Sequence, residues 1–123
     1  MSAAVRALRG ATTVDDDTRE QVEERVKALL DQLFQRNGVQ PDTLISILFT
    51  ATDDIHSMFP AEAARRAFDL RDVPLMCARE LDIAGMLPRC IRVLAHLYTD
   101  RAKDEMEHVF LEGATRLRPD LGQ

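Results

Sequence analysis

The stretch V-P-L-M-C-A-R-E-L-D-I-A-G-M-L-P-R-C-I-R-V, Val73 to Val93, decides the fold. Two runs of alternating character, Val73 to Glu80 and Arg89 to Tyr98, flank a Gly/Pro-containing turn. A period of two on both sides of such a turn predicts paired strands. Cys77, Glu80 and Arg92 are the informative residues, because they are polar or charged within or beside otherwise apolar runs. Leaving one partner of a buried ion pair uncompensated costs roughly 3–5 kcal/mol. Arg92 therefore reaches water, pairs with an acid, or faces a place that receives an anion.

Working outward, Ala3 to Ala11 reads as a first strand, with Val5, Ala7 and Arg9 on one face and Arg6 and Leu8 on the other. Gly10 allows close approach or a bulge. Three aspartates, Asp15 to Asp17, then crowd a helix start, where the helix dipole favours acid. Thr18 and Gln21 have capping-box spacing. Val22, Val26, Leu29, Leu30, Leu33 and Phe34 form one apolar stripe, and Asn37-Gly38 ends the helix after about five turns. Leu44 to Ala51 is nearly all apolar and predicts a strand covered on both faces.

Asp53, Asp54 and His56 follow, and a polar capping loop explains them better than a metal cluster, since no second ligand group has a recognisable spacing. Phe59-Pro60 opens a short helix in which the adjacent Arg65 and Arg66 point about 100° apart. Beyond Tyr98, Thr99 to Asp104 reads as a polar loop, and a strand is expected from His108, where Val109-Phe110-Leu111 favours β structure. Residues 116–123 read as a mobile tail, stopped by Pro119.

The order strand, helix, strand, short helix and three further strands predicts one α+β domain over residues 1–123. Its single mixed sheet of about five strands carries one long helix and short helices on one face. One long helix is little cover for such a sheet, so an open face or edge implies packing against other copies.

Composition narrows the function. The 123 residues carry a net charge of −5, with one Tyr and no Trp. That excludes aromatic stacking of single strands and disfavours a DNA or anionic-membrane partner. All of the 16 basic residues except Lys27 and Lys103 are arginine, the residue that grips carboxylates through a planar fork. Coding bias explains most of these arginines; a few remain for binding a small dianion. The two cysteines, Cys77 and Cys90, have no metal-ligand spacing and read as free thiols. No apolar run approaches the ~20 residues of a membrane span, and residues 1–14 lack a signal-peptide core, so a cytoplasmic protein is expected. No nucleophile–base pair, phosphate loop or metal motif stands out, and His56, His96 and His108 are far apart in sequence.

Five strings in order are more specific: R-G-A-T-T-V (Arg9 to Val14), F-P-A (Phe59 to Ala61), V-P-L-M-C-A-R-E (Val73 to Glu80), C-I-R-V (Cys90 to Val93) and L-R-P-D-L (Leu117 to Leu121). With them the chain resembles the AroH-type chorismate mutases, the small monofunctional non-helical class, over nearly its whole length. The resemblance implies a homotrimer with a β-barrel-like core and active sites at subunit interfaces. It implies rearrangement of chorismate to prephenate on the way to phenylalanine and tyrosine, without cofactor or metal. It also assigns roles. Arg92 meets the ether oxygen and a carboxylate, Arg9 is a second substrate-binding arginine, and Glu80 with Cys77 holds the ring hydroxyl. The Leu75–Met76–Cys77 backbone, Phe59 and Ala61 line the pocket, and Leu117 closes it. Phe110 stands beside the substrate, while Arg65 and Arg118 are peripheral.

Three positions depart from the family pattern. Phe110 stands where the family often has Tyr, which removes a hydroxyl worth about 1–2 kcal/mol of binding. Glu62 stands where Lys can occur, and Met76 replaces a smaller polar residue. Two other readings stay open: an enamine or imine deaminase of the RidA-like class on a similar trimer, and a non-catalytic ligand-binding trimer.

Overall fold

The computed structural model describes residues 3–117. Arg118, assigned above to the periphery, and most of the expected tail lie outside the described residues. The elements run β1 (Ala4–Thr13), α1 (Arg19–Asn37), β2 (Leu44–Ala51), α2 (Pro60–Ala67), β3 (Leu75–Arg79), β4 (Cys90–Thr99) and β5 (Val109–Phe110), with short 3-10 turns at Pro41–Thr43, Lys103–Glu105 and Glu112–Arg116. The expected five-stranded α+β architecture stands.

Helix α1 forms where its signals put it. Thr18 adopts extended backbone and its hydroxyl accepts the Gln21 amide at 3.1 Å. The Gln21 side chain passes over the cap and accepts the amides of Asp15 at 2.8 Å and Asp16 at 3.2 Å. Gly38 ends the helix at φ 61°, a left-handed conformation that glycine adopts without steric cost, and the Val39 amide closes back on Phe34. Val22, Val26, Leu29, Leu30 and Leu33 are wholly buried. Burial of such side chains is worth roughly 1.5–3 kcal/mol each, which makes this stripe the main cover of the sheet.

The sheet order is β3-β2-β4-β1-β5. This corrects the expectation drawn from the opening stretch, because β3 and β4 do not pair with each other: β2 lies between them, parallel to β3 and antiparallel to β4. The reason is the crossover. Parallel neighbours need a long connection, and α2 supplies it between β2 and β3. The segment 80–89 then carries the chain past β2, too long for a tight hairpin loop of two to five residues.

The core lies on one side of the sheet. Leu8, Ile47, Phe49, Ile91, Val93, Ala95 and Val109 pack against the α1 stripe. Gly10 is required there: a Cβ would stand 3.0 Å from both Leu33 Cδ1 and the Val109 carbonyl oxygen. The other side is open in the single chain. Strand β2 is therefore not covered on both faces as expected. Ile47 and Phe49 are buried, but Ser46, Leu48 and Thr50 are half-buried on the opposite face. Val5 and Tyr98 pair across β1 and β4 and are each 52% exposed.

Candidate active site

Strand register places one row of residues across the open face. Ala78 lies beside Thr50, Thr50 beside Arg92, Arg92 beside Ala11, and Ala11 beside Phe110. Arg9, two residues before Ala11, shares this face, because side chains alternate along a strand.

Glu80 follows β3, tied by its amide to the Ala51 carbonyl at 3.0 Å. Its carboxylate turns onto the same face and accepts the Thr50 hydroxyl at 2.6 Å. The same oxygen stands 3.4 Å from Nε of Arg92. This contact is an ion pair without hydrogen-bond geometry, since Arg92 Nε is buried and makes no hydrogen bond among the described residues. The Arg92 side chain is one-third exposed. Of the three fates open to this arginine, it pairs loosely with an acid and keeps an accessible side.

The row ends in a small second cluster of Ala11, Cys90, Phe110 and Ala114, with Leu87 and Leu117 against it. Burial pushes the Cys90 thiol pKa up, and the neighbouring Arg92 charge works against that rise. The Arg9 guanidinium stands 6.0 Å over the Phe110 ring, within cation–π range. Arg9, Glu80, Arg92, Phe110 and Leu117 thus converge on this end of the open face.

Cys77, Phe59 and Ala61 do not join them within one chain. Cys77 pairs with Phe49 and packs on the core side, so its thiol and the Glu80 carboxylate lie on opposite faces of the sheet. What Cys77 presents is main chain. The Ile47 amide donates to Pro74 and the Glu80 amide to Ala51. In a parallel ladder this parity gives Met76 and Ala78 the bonds to β2 and leaves the amides of Leu75, Cys77 and Arg79 along the open edge. Against that end of β3 sits an open cleft of about 640 Å³ lined by Phe59, Cys77, Ala78, His56 and two ion pairs. Those pairs are Arg19–Glu62 at 3.1 Å and Arg79–Asp53 at 2.7 Å. Phe59 and Met76 are 68% and 65% exposed, and Ala61 is buried at the start of α2. Arg65 is exposed on α2 and pairs with no carboxylate among the described residues, whereas Arg66 binds Glu23 at 3.0 Å.

In the acidic loop after β2, Asp53 and Asp54 make structural contacts. Asp54 accepts the Arg89 amide at 3.0 Å, which holds that residue at φ 48° at the entry to β4. Asp53 is engaged by Arg79, whose hydrogen bond and charge hold the carboxyl below its usual pKa. No cluster of potential metal ligands occurs among the described residues. Likewise, no helix among them is long and apolar enough to cross a membrane.

Sequence reading missed two members of the site. Thr50 holds Glu80, and Cys90 lies near the Arg92 charge. Thr50 left a signal, a polar residue in register with Ser46 on one face of an apolar strand; Cys90 left none beyond its nearness to Arg92.

A family model described as chorismate mutase type I matches residues 5–121. The chain is 41% identical over 117 residues to the chorismate mutase AroH of Bacillus subtilis (strain 168), covering 95% of this chain and 92% of that one. It is 48% identical over 118 residues to the chorismate mutase AroH of Thermus thermophilus, covering 95% and 96%. Its fold is similar to that of a solved chorismate mutase from Clostridium thermocellum, with a TM-score of 0.86 and 43% identity over 89% of this chain and 97% of the other. The family match over residues 5–121 and these likenesses over nearly the full length lead to one conclusion: the chain belongs to the type I chorismate mutase family.

Proposed function

We propose that this chain is a chorismate mutase, an isomerase that converts chorismate to prephenate in phenylalanine and tyrosine biosynthesis, and that it works as a homotrimer with its sites at subunit interfaces. The observation that carries the reading is the Glu80–Arg92 pair on the open sheet face, with Arg9 and Phe110 beside it.

The reaction is a unimolecular Claisen rearrangement, so it needs neither a nucleophile nor a general base. It needs the substrate folded into a chair with the two reacting carbons in contact. It also needs a fixed donor where negative charge develops on the breaking ether oxygen. In this reading Arg92 is that donor and also binds a carboxylate. Glu80, fixed by Thr50, accepts the ring hydroxyl. Arg9 binds the second carboxylate, and Leu117 covers the site.

Phe59, Ala61 and the Leu75–Met76–Cys77 backbone enter from the neighbouring copy, with Arg65 at the rim. Two features support this composite. The open face and the β3 edge each carry exposed apolar residues, including Val5, Tyr98, Met76 and Phe59, of the kind that mark an association surface. Phe59, Ala61 and the outward amide of Cys77 also lie away from the open face that carries Arg9, Glu80 and Arg92, a separation that a second copy would bridge. A cytoplasmic location fits a biosynthetic enzyme of this kind.

The test is loss of chorismate absorbance on mixing with purified protein, run beside Arg92→Ala. Turnover that survives in the variant defeats the Arg92 mechanism, and inactivity of the wild type defeats the function. Ammonia release from an enamine would instead favour the deaminase reading. Light scattering should give three chain masses.

A further inference from the structure

The edge of β1 that carries Arg9 is held by a short ladder. Strand β5 pairs with β1 only through Gly10–Val109 and Ala11–Phe110. Two further bonds extend the contact beyond Phe110: the Leu111 amide donates to the Ala11 carbonyl at 2.9 Å, and the Gly113 amide donates to Oγ1 of Thr13 at 3.0 Å. At the opposite end, the Arg9 amide donates to a side chain, Nδ1 of His108, at 3.0 Å. Because the amide is the donor, Nδ1 carries no proton, and the ring is neutral with its N–H at Nε2. An imidazole nitrogen here takes the place of a main-chain carbonyl and lengthens the ladder by one bond.

That bond fixes the backbone of the residue whose guanidinium lies over Phe110. His108 and Phe110 are two residues apart on the same segment. One holds Arg9 by its amide and the other by its cationic end.

We propose that His108 is a positioning residue for the anion site, its Nδ1 setting the Arg9 backbone so that the guanidinium is presented towards a substrate carboxylate. The inference rests on the reading of Arg9 as a substrate-binding arginine. His108 itself touches no substrate. Its effect falls on carboxylate binding, which raises KM when lost, and leaves the donor at Arg92 intact.

The experiment compares His108→Asn, His108→Gln and His108→Leu in the full chain, assayed with chorismate and monitored by amide exchange at Arg9. The Oδ1 of Asn overlays Nδ1 of the imidazole, whereas the Oε1 of Gln reaches the Nε2 position. His108→Asn should keep KM near wild type. His108→Gln and His108→Leu should raise KM about tenfold, the loss of one hydrogen bond, with kcat within about twofold. Arg9 amide exchange should quicken about tenfold in the Gln variant and stay protected in the Asn variant. Equal KM and equal exchange in the Asn and Gln variants overturn the proposal, and this comparison stands even where the Leu variant does not fold. A wild-type protein inactive on chorismate defeats the proposed function alone. The clasp is then judged by Arg9 exchange, where equality of Asn and Gln overturns it.

Discussion

One oxygen of the Glu80 carboxylate serves two strands at once: it accepts the Thr50 hydroxyl at 2.6 Å and faces Arg92 Nε at 3.4 Å. Thr50 and Arg92 are direct neighbours across β2 and β4. The acid therefore comes from beyond β3, is braced by β2, and meets the cation of β4.

Removing the cation should be the most damaging single change. Arg92→Ala is expected to lower kcat about 10²–10³-fold, the usual loss for a preorganised donor at a developing oxyanion. Arg92→Lys should recover little, because a point charge does not reproduce the guanidinium fork. Steady-state kinetics measure both variants, and circular dichroism checks that the fold survives.

Thr50→Val keeps the shape of the brace and removes its hydroxyl. A hydrogen bond to a charged group is worth roughly 1.5–3 kcal/mol, and partial exposure of Glu80 reduces this to about 1 kcal/mol of stability. The expected kinetic effect is about a tenfold fall in kcat/KM, since Glu80 then loses its fixed orientation. Thermal unfolding beside kinetics reads the two effects separately.

Asn37 is the buried polar joint between helix and sheet. Its Nδ2 donates to the carbonyls of Leu33 at 2.8 Å and Glu107 at 2.9 Å, and its Oδ1 accepts the Glu107 amide at 2.8 Å. Asn37→Ala leaves buried main-chain groups unpaired and should cost about 2–4 kcal/mol in denaturant unfolding. Because Glu107 leads into His108 and β5, the same variant should also loosen that segment.

Asp17 supplies an acid-sensitive tie. Its carboxylate accepts the amides of His56 at 2.7 Å and Ser57 at 3.1 Å, joining the start of α1 to the loop before α2. Desolvation raises its pKa, but the hydrogen bonds from the His56 and Ser57 amides, with the Ser57 side chain close by, outweigh this, so it lies below its ordinary value of 3.8. A depressed folded-state pKa contributes stability above pH 3.8 that is lost as pH falls through the lower, folded value. Asp17→Asn should therefore be less stable at neutral pH and lose less on acidification. Parallel unfolding curves at pH 7 and pH 3 check the sign.

Cys90 should be slow towards thiol reagents. It is 1% exposed, and burial raises its pKa despite the Arg92 charge nearby. Labelling at about pH 8 should reach it only after unfolding, because the thiolate is the reactive form. Mass spectrometry of labelled peptides reads this directly; rapid labelling in the folded state would contradict the burial.

The sequence by itself determined the elements with local causes. Helix α1 needed only Thr18, its apolar stripe and Gly38. Strand β2 and the Pro-started α2 were equally local, and Glu80 and Arg92 stood out as charges within or beside apolar runs, whereas Arg9 read from spacing as an ordinary surface arginine and gained a role only through the family resemblance. Partners were another matter. A period of two marks Leu75–Arg79 and Cys90–Thr99 as strands but does not state which edge each pairs with, and the intervening place went to β2 because α2 provides a parallel crossover. That choice decided which side each residue faces and what stands beside it. It gave Glu80 the brace of Thr50, turned the Cys77 thiol into the core while leaving its amide at the edge, and set His108 against the Arg9 amide. Such contacts link residues 30 to 99 positions apart. They are fixed by the packing of the whole sheet, not by any window of sequence.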